Sequence, residues 1–364
     1  MNTTEEKQMK NPLGYKSEKG LLFQFAVPSI IAMLVGSLYN IVDQFFIGHS
    51  VGELGNAATN ISFPLSISCV AIALLFGIGG ASAFNISMGA GEKKKAVYYL
   101  GNSAVMLFSC GIVLCVITLM FLEPLLHFFG SPNNVLDYAK TYTGIIAFGF
   151  PFLILTTGGG HLIRADGRPK VSMICNLTGA IINTFLDALF VFGLNMGMRG
   201  AALATIIGQI LSAIMVIWCL SHCKTVVVGK EHLRVSKKII SRIISLGTAP
   251  FSNQLAMMVV QIVMNKSLKY YGSISVYGEA VPIACAGIIT KVNQVFMSFV
   301  IGISQGLQPI TSFNYGAKKY KRVKTAYTFA IKCGFALAIV AFLLFQLVPR
   351  QIISIFGNGS EEYY

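Results

Sequence analysis

An all-α polytopic membrane protein is the fold class this chain predicts, and three observations predict it. Hydrophobic residues make up 54% of its 364 residues and charged residues only 12%, where a soluble domain carries about 25% charged residues. The mean hydropathy is +0.68. Nine apolar runs are long enough to cross a membrane, each needing roughly 20 residues to span a ~30 Å hydrocarbon core. The basic residues gather in every second connection between those runs. The runs are continuous and do not alternate in ~10-residue segments, which excludes a spanning β-barrel.

In chain order the runs cover 24–48, 57–88, 98–122, 136–163, 170–194, 200–221, 240–268, 280–312 and 325–348. The segment before the first, residues 1–20, is polar, and that first run is too long for a signal-peptide core. Lys7, Lys10, Lys16 and Lys19 precede the first run. Lys93, Lys94 and Lys95 follow the second, and Arg164, Arg168 and Lys170 the fourth. Lys224, Lys230, Arg234, Lys237, Lys238 and Arg242 follow the sixth, and Lys318, Lys319, Lys321, Arg322 and Lys324 the eighth. The alternate connections hold few, among them Lys140, Arg199, Lys266 and Lys269. This asymmetry places the N-terminus of a multi-pass membrane protein in the cytoplasm. The net charge of +14 therefore orients the chain in a lipid bilayer, and no nucleic-acid partner is expected.

The eight cysteines lie in or at the ends of apolar runs, so no disulfide framework is expected. Cys219, His222 and Cys223 share a helix face, a spacing that small cysteines at a helix end produce without any metal. No metal is expected beyond Na⁺ at the acidic residues considered below, no cofactor, and no enzyme activity: no nucleophile–base pair or metal triad shares one depth. An aspartyl pair acting as an intramembrane protease is the enzymatic alternative.

The second half of the chain echoes the first at an offset of about 225 residues. Met88-Gly89-Ala90-Gly91-Glu92-Lys93-Lys94-Lys95 answers to Asn314-Tyr315-Gly316-Ala317-Lys318-Lys319-Tyr320-Lys321. Gly77-Ile78-Gly79 answers to Gly302-Ile303-Ser304, Gly55-Asn56-Ala57 to Gly278-Glu279-Ala280, and Pro28 to Pro250. Pro124 with Phe129-Gly130 answers to Pro349 with Phe356-Gly357. The repeat predicts two homologous six-helix lobes, a transporter design, with the second lobe incomplete and about nine transmembrane helices present. The expected organisation is a cytoplasmic segment 1–20, an N-lobe 21–222, a cytoplasmic linker 223–238 and a partial C-lobe 239–364. On this reading the sequence is a C-terminally truncated piece; the alternative is a genuine nine-span protein.

Of 14 acidic residues only Asp43 and Asp187 fall deep inside apolar runs, where a carboxylate costs at least ~3 kcal/mol and is kept for a purpose. Topology sets Asp43, Asp187 and Thr205 at one depth, roughly 8–12 Å from the outer boundary at 1.5 Å per residue. Asn183 lies one turn from Asp187, and Gln209 one turn from Thr205. Carboxylates, an amide and a hydroxyl form a hard-oxygen set suited to Na⁺ or to a titrating carboxyl. The competing reading pairs each acid with a buried base, for which only Lys291 and Lys332, both in the second half, lie at depth. Lys291 either lines a central cavity or snorkels. Pro28 is expected to kink or hinge the first span.

Tyr39-Asn40-Ile41-Val42-Asp43-Gln44-Phe45-Phe46-Ile47-Gly48, Asn183 with Asp187, and Gly197-Met198-Arg199-Gly200-Ala201-Ala202-Leu203-Ala204-Thr205 resemble the MATE (multidrug and toxic compound extrusion) family. So do Gln305-Gly306-Leu307-Gln308-Pro309 and Asn314-Tyr315-Gly316-Ala317, while Asn11-Pro12-Leu13-Gly14 resembles its MepA-like bacterial branch. The resemblance implies a two-lobed, MATE/MOP-like antiporter of twelve helices, working as a monomer. It would export small lipophilic organic cations in exchange for Na⁺ or H⁺ by rocking of the lobes. Carried over from it, the coupling-ion site comprises Asp43, Asn183, Asp187 and Thr205, with Pro28 and Tyr39 in the same region. The alternatives are a flippase of lipid-linked or polyanionic substrates, which calls for a cationic cavity, and a non-transporting membrane fragment.

Overall fold

The computed structural model describes residues 11–131, 133–274 and 280–347, and among them no strand occurs. In hydrocarbon every backbone polar group must be satisfied within its own segment, which leaves continuous apolar runs no option but helix. The long helices are α1 (Glu18–Val51), α2 (Glu53–Gly89) and α3 (Lys93–Met120), then a short α4 (Leu122–Phe128). They continue with α5 (Asn133–Ile146), α6 (Phe150–Ala165), α7 (Pro169–Asp187), α8 (Gly197–Ser221), α9 (Lys237–Ser273), α10 (Ala280–Gly316) and α11 (Tyr320–Leu347). Two predicted spans are interrupted: a 3-10 turn at Ala147–Gly149 joins α5 to α6, and a π-helical turn at Ala188–Gly193 extends α7. Among the described residues eight helices are long and apolar enough to span a membrane. The remaining expected span, 280–312, coincides with α10, 37 residues long. Gly278, Glu279, Pro349, Phe356 and Gly357, used above to align the halves, lie outside the described residues, as do Lys7 and Lys10.

The repeat is visible in the backbone. After α2, Glu92 N donates to Ser87 O (2.9 Å) and Gly91 sits at φ 83°. After α10, Lys319 N donates to Asn314 O (2.8 Å) and Lys318 sits at φ 59°. Two helices thus end in the same left-handed cap, which glycine adopts freely and lysine only against a steric cost. In the first half α2 packs on α3 and α6, α7 on α8, and α1 on α7; between the halves α9 lies along α2 and α10 along α1.

Contacts between the halves run from the face that carries the basic residues to the middle of α1 and α10. Gly79 on α2 meets the carbonyl of Ile243 on α9, and Gly247 on α9 meets that of Leu75, so closely that no Cβ fits at either glycine. Small residues allow such backbone approach in membranes. Ser37 and Ser298 are 3.1 Å apart, and Gln308 Nε2 donates to Ser82 Oγ at 3.0 Å. At the basic face the leader is clasped by the second half. Leu13 is buried, Asn314 Nδ2 donates to its carbonyl (2.9 Å), and Arg322 pairs with Glu18 at 3.0 Å while donating to Asn314 Oδ1. Toward the opposite face α9 exposes Met257, Val260, Val263, Tyr270 and Tyr271.

Between α8 and α9 the chain is tied to the first half. Asp166, fully buried, accepts from Arg168 Nε (2.7 Å), the amides of Lys224 (2.8 Å) and Thr225 (2.9 Å), and Thr225 Oγ1 (2.6 Å). Asn102 on α3 donates to the carbonyls of His232 and Arg234 and accepts from Ser236 N.

Candidate functional site

Asp43 lies two turns from the end of α1, with Tyr39 one turn before it. Asp187 is the last residue of α7, and the chain widens into the π turn immediately after it. Such turns re-aim neighbouring side chains and recur at functional positions. Asn183 precedes Asp187 by one helical turn, and α8 presents Thr205 and Gln209. Asp43, Asn183, Asp187 and Thr205 are all buried.

The four side chains meet. The carboxyl groups of Asp43 and Asp187 lie within hydrogen-bonding reach of each other, an approach that two carboxyls make when a proton or a cation lies between them. With its amide turned so that both ends are satisfied, Asn183 donates from Nδ2 to Asp187 Oδ2 at 3.0 Å and accepts at Oδ1 from Thr205 N at 3.0 Å. Thr205 Oγ1, which donates to Ala201 O, lies 3.3 Å from the Asn183 amide and within hydrogen-bonding reach of the Tyr39 hydroxyl. Asp43 Oδ1, Asp187 Oδ1 and Gln209 Oε1 are buried acceptors with no donor among the described residues. Unmatched buried oxygens are costly, and oxygens of this kind are the ligands that a hard monovalent cation or a proton takes.

Of the remaining predicted residues, Gln209 turns its Oε1 against Gly149 in the 3-10 break. Pro28 is buried about 22 Å along α1 from Asp43, at the 1.5 Å rise of a helix, beside the crossing of α10 at Ala26 and Ile30. The acid cluster therefore does not include it. The side chain of Lys291 lies outside the described residues. Tyr142 on α5 was not among the predicted residues; it is buried and close enough to Asp43, Tyr39 and Asp187 to feel their charge. Its signal was the polar triplet Thr141-Tyr142-Thr143 inside an apolar run. Phe46 and Phe192, 5.2 Å between ring centroids, close the side nearer the end of α1. At the other face Cys223 donates to Leu220 O and His222 Nδ1 lies 3.0 Å from Trp218 O, so both engage their own helix end. Among the described residues no group of three His, Cys, Asp or Glu is arranged to hold a metal.

The family model described as MatE matches residues 28–189 and 253–363. Multidrug export protein MepA of Staphylococcus saprophyticus is 26% identical over 357 residues, covering 97% of this chain and 77% of that protein. The protein of the same name from Staphylococcus aureus strain MSSA476 is 25% identical over 97% of this chain and 78% of its own length. Among solved structures, one described as an outward-facing conformation of a multidrug resistance MATE family transporter of the MOP superfamily superposes with a TM-score of 0.85. It is 22% identical and covers 98% of this chain and 76% of its own. A MOP superfamily transporter from Pyrococcus furiosus, described as having a binding pocket of reverse polarity, superposes with a TM-score of 0.86. It is 21% identical over 99% of this chain and 77% of its own.

Proposed function

Because the chain belongs to the MatE family, we propose that it is a secondary active multidrug exporter, driven by Na⁺ or H⁺ bound among Asp43, Asn183, Asp187 and Thr205. The observation that carries this reading is the buried pair of Asp43 and Asp187, within hydrogen-bonding reach of each other and with one acceptor oxygen on each unmatched. Loaded with a proton or Na⁺, the pair carries one net negative charge in place of two and draws α1, α7 and α8 together through Asn183 and Thr205. Without it, two like charges at contact distance repel, and the Asp43 end of α1 is pushed from α7. The coupling ion thus sets the shape of the first half.

The exported substrates are small lipophilic organic cations, which suit a cavity offering aromatic faces and carboxylates. Loading the acid pair halves the negative charge that attracts such a cation, so ion and drug compete and exchange. The basic connections support a cytoplasmic N-terminus, and the membrane on this reading is a bacterial plasma membrane. Since the halves meet on that same side, the shape corresponds to an outward-facing state, and rocking about the α1–α10 and α2–α9 contacts would open the other side. Pro28, beside the α10 crossing, removes the helical bond to Gln24 O and allows α1 to bend there. Tyr39 and Gln209 flank the ion site, and the exporter acts as a monomer.

Ethidium efflux from vesicles, followed at fixed pH with and without Na⁺, tests the coupling. Efflux that follows an imposed Na⁺ or proton gradient is expected. Efflux indifferent to both gradients would contradict the reading.

A further inference from the structure

At the basic face, where α3 begins and α8 has just ended, a cavity of about 410 Å³ is lined by Lys93, Lys94, Val97, Cys223, Lys224, Thr225, Val226, Val227 and His232. That volume is in the range of ligand sites. Three lysines share it, and among the described residues none of them pairs with a carboxylate. The acids nearby are otherwise engaged. Glu92 pairs with Lys95 at 3.1 Å. Asp166 is spent on Arg168, two amides and a hydroxyl. Glu231 is 67% exposed at its side chain and 3.6 Å from His232 Nδ1. His232 accepts from Gly229 N at Nδ1 (2.9 Å) and packs against Tyr98, so the hydrogen of its neutral ring sits on Nε2. Burial pushes the Cys223 thiol up to about 12, with the charge of Asp166 adding to it, which keeps the thiol protonated and excludes a nucleophilic role.

The remaining wall is apolar. Val227 is 85% exposed, and Trp218, 61% exposed near the end of α8, is the chain's one tryptophan. Tryptophan is enriched at the headgroup level of a bilayer. Spans that end at Met120 and begin at Lys93, or run from Gly197 to Ser221, put the cavity at the membrane–water boundary. There the most abundant phosphate carries an acyl tail. We propose that this cavity binds the phosphodiester headgroup of an anionic phospholipid. Lys93, Lys94 and Lys224 neutralise the phosphate, His232 donates to it, and Val226 and Val227 meet the start of the acyl chains. Because Lys93 and Lys94 belong to α3 while Lys224 belongs to the segment between α8 and α9, a bound lipid fastens that segment to the first half. The tethers of Asp166 and Asn102 act on the same segment.

Native mass spectrometry of the purified protein, titrated separately with phosphatidylglycerol, phosphatidylcholine and inorganic phosphate, tests this. Phosphatidylglycerol is expected to be retained, and the other two are not at the same concentrations. Combining Lys93→Gln, Lys94→Gln and Lys224→Gln is expected to weaken retention on the order of a hundredfold, from about fivefold per lysine beside an anionic surface. Combining Lys170→Gln, Lys237→Gln and Lys238→Gln removes equal charge from the same face outside the cavity and is expected to change retention less than tenfold. The proposal is overturned by equal loss in both triple variants, by unchanged retention in the first, or by inorganic phosphate binding as well as the lipid. Should the glutamine variant not fold, the arginine variant at the same three positions keeps the charge and must keep the lipid. Thermal stabilisation of the unsubstituted protein by phosphatidylglycerol no greater than by phosphatidylcholine would equally overturn it.

Discussion

Two acids in hydrocarbon were the strongest signal in the amino-acid sequence, because nothing but use keeps a carboxylate there. Counting residues from the ends of the runs was enough to set Asp43, Asp187, Asn183 and Thr205 at one depth, since a helix rises 1.5 Å per residue whatever its neighbours do. The structure brings those four into contact. Depth arithmetic says nothing about azimuth, which is why Tyr142 escaped notice and why Gln209, on the right face of α8, turns toward Gly149. Asp166 was equally illegible: in sequence it is one loop acid among several, and only folding gives it four donors. Removing a buried acceptor of this kind leaves Arg168 and two amides unmatched. Asp166→Ala is therefore expected to destabilise the protein by about 3–5 kcal/mol, read as a lowered midpoint of thermal unfolding in detergent. A loss below ~1 kcal/mol would mean that water replaces the carboxylate without cost.

At the scale of helices, the nine apolar runs carried the element list, and what they missed were breaks inside the runs. The 3-10 turn Ala147–Gly149 and the π turn Ala188–Gly193 are both made of apolar residues that a hydropathy reading passes over. Both adjoin the acid site. Glycines bring particular helices together: Gly79 and Gly247 join the backbones of α2 and α9 across the two halves. A larger side chain there must push the helices apart. Gly247→Leu is expected to cost about 1–3 kcal/mol in thermal stability, the range of overpacked cores. It should also make the basic face more accessible to a membrane-impermeant thiol reagent at an introduced cysteine. Unchanged stability and unchanged accessibility would show that α2 and α9 are not held by this contact.

Across the whole molecule, the repeat predicted two related halves, and the matching caps after α2 and α10 carry the same hydrogen bonds. How the halves meet was not legible, because the residues that join them, Ser37 with Ser298 and Leu13 with Asn314, are far apart in sequence and ordinary in composition. If transport requires the halves to separate along α1 and α10, a bond across that contact must arrest it. The pair Ser37→Cys and Ser298→Cys, oxidised, is expected to lose efflux and regain it on reduction; full efflux by the oxidised protein would exclude rocking about this contact. The central claim, that Asp43 and Asp187 form the ion site powering export, is tested most directly in proteoliposomes. The unsubstituted protein, Asp43→Asn and Asp187→Asn are compared for accumulation of an organic cation driven by an imposed Na⁺ or proton gradient. The account predicts gradient-driven transport by the unsubstituted protein and a fall to the protein-free background in either variant, with thermal stability retained. Gradient-driven transport surviving in both variants would contradict it.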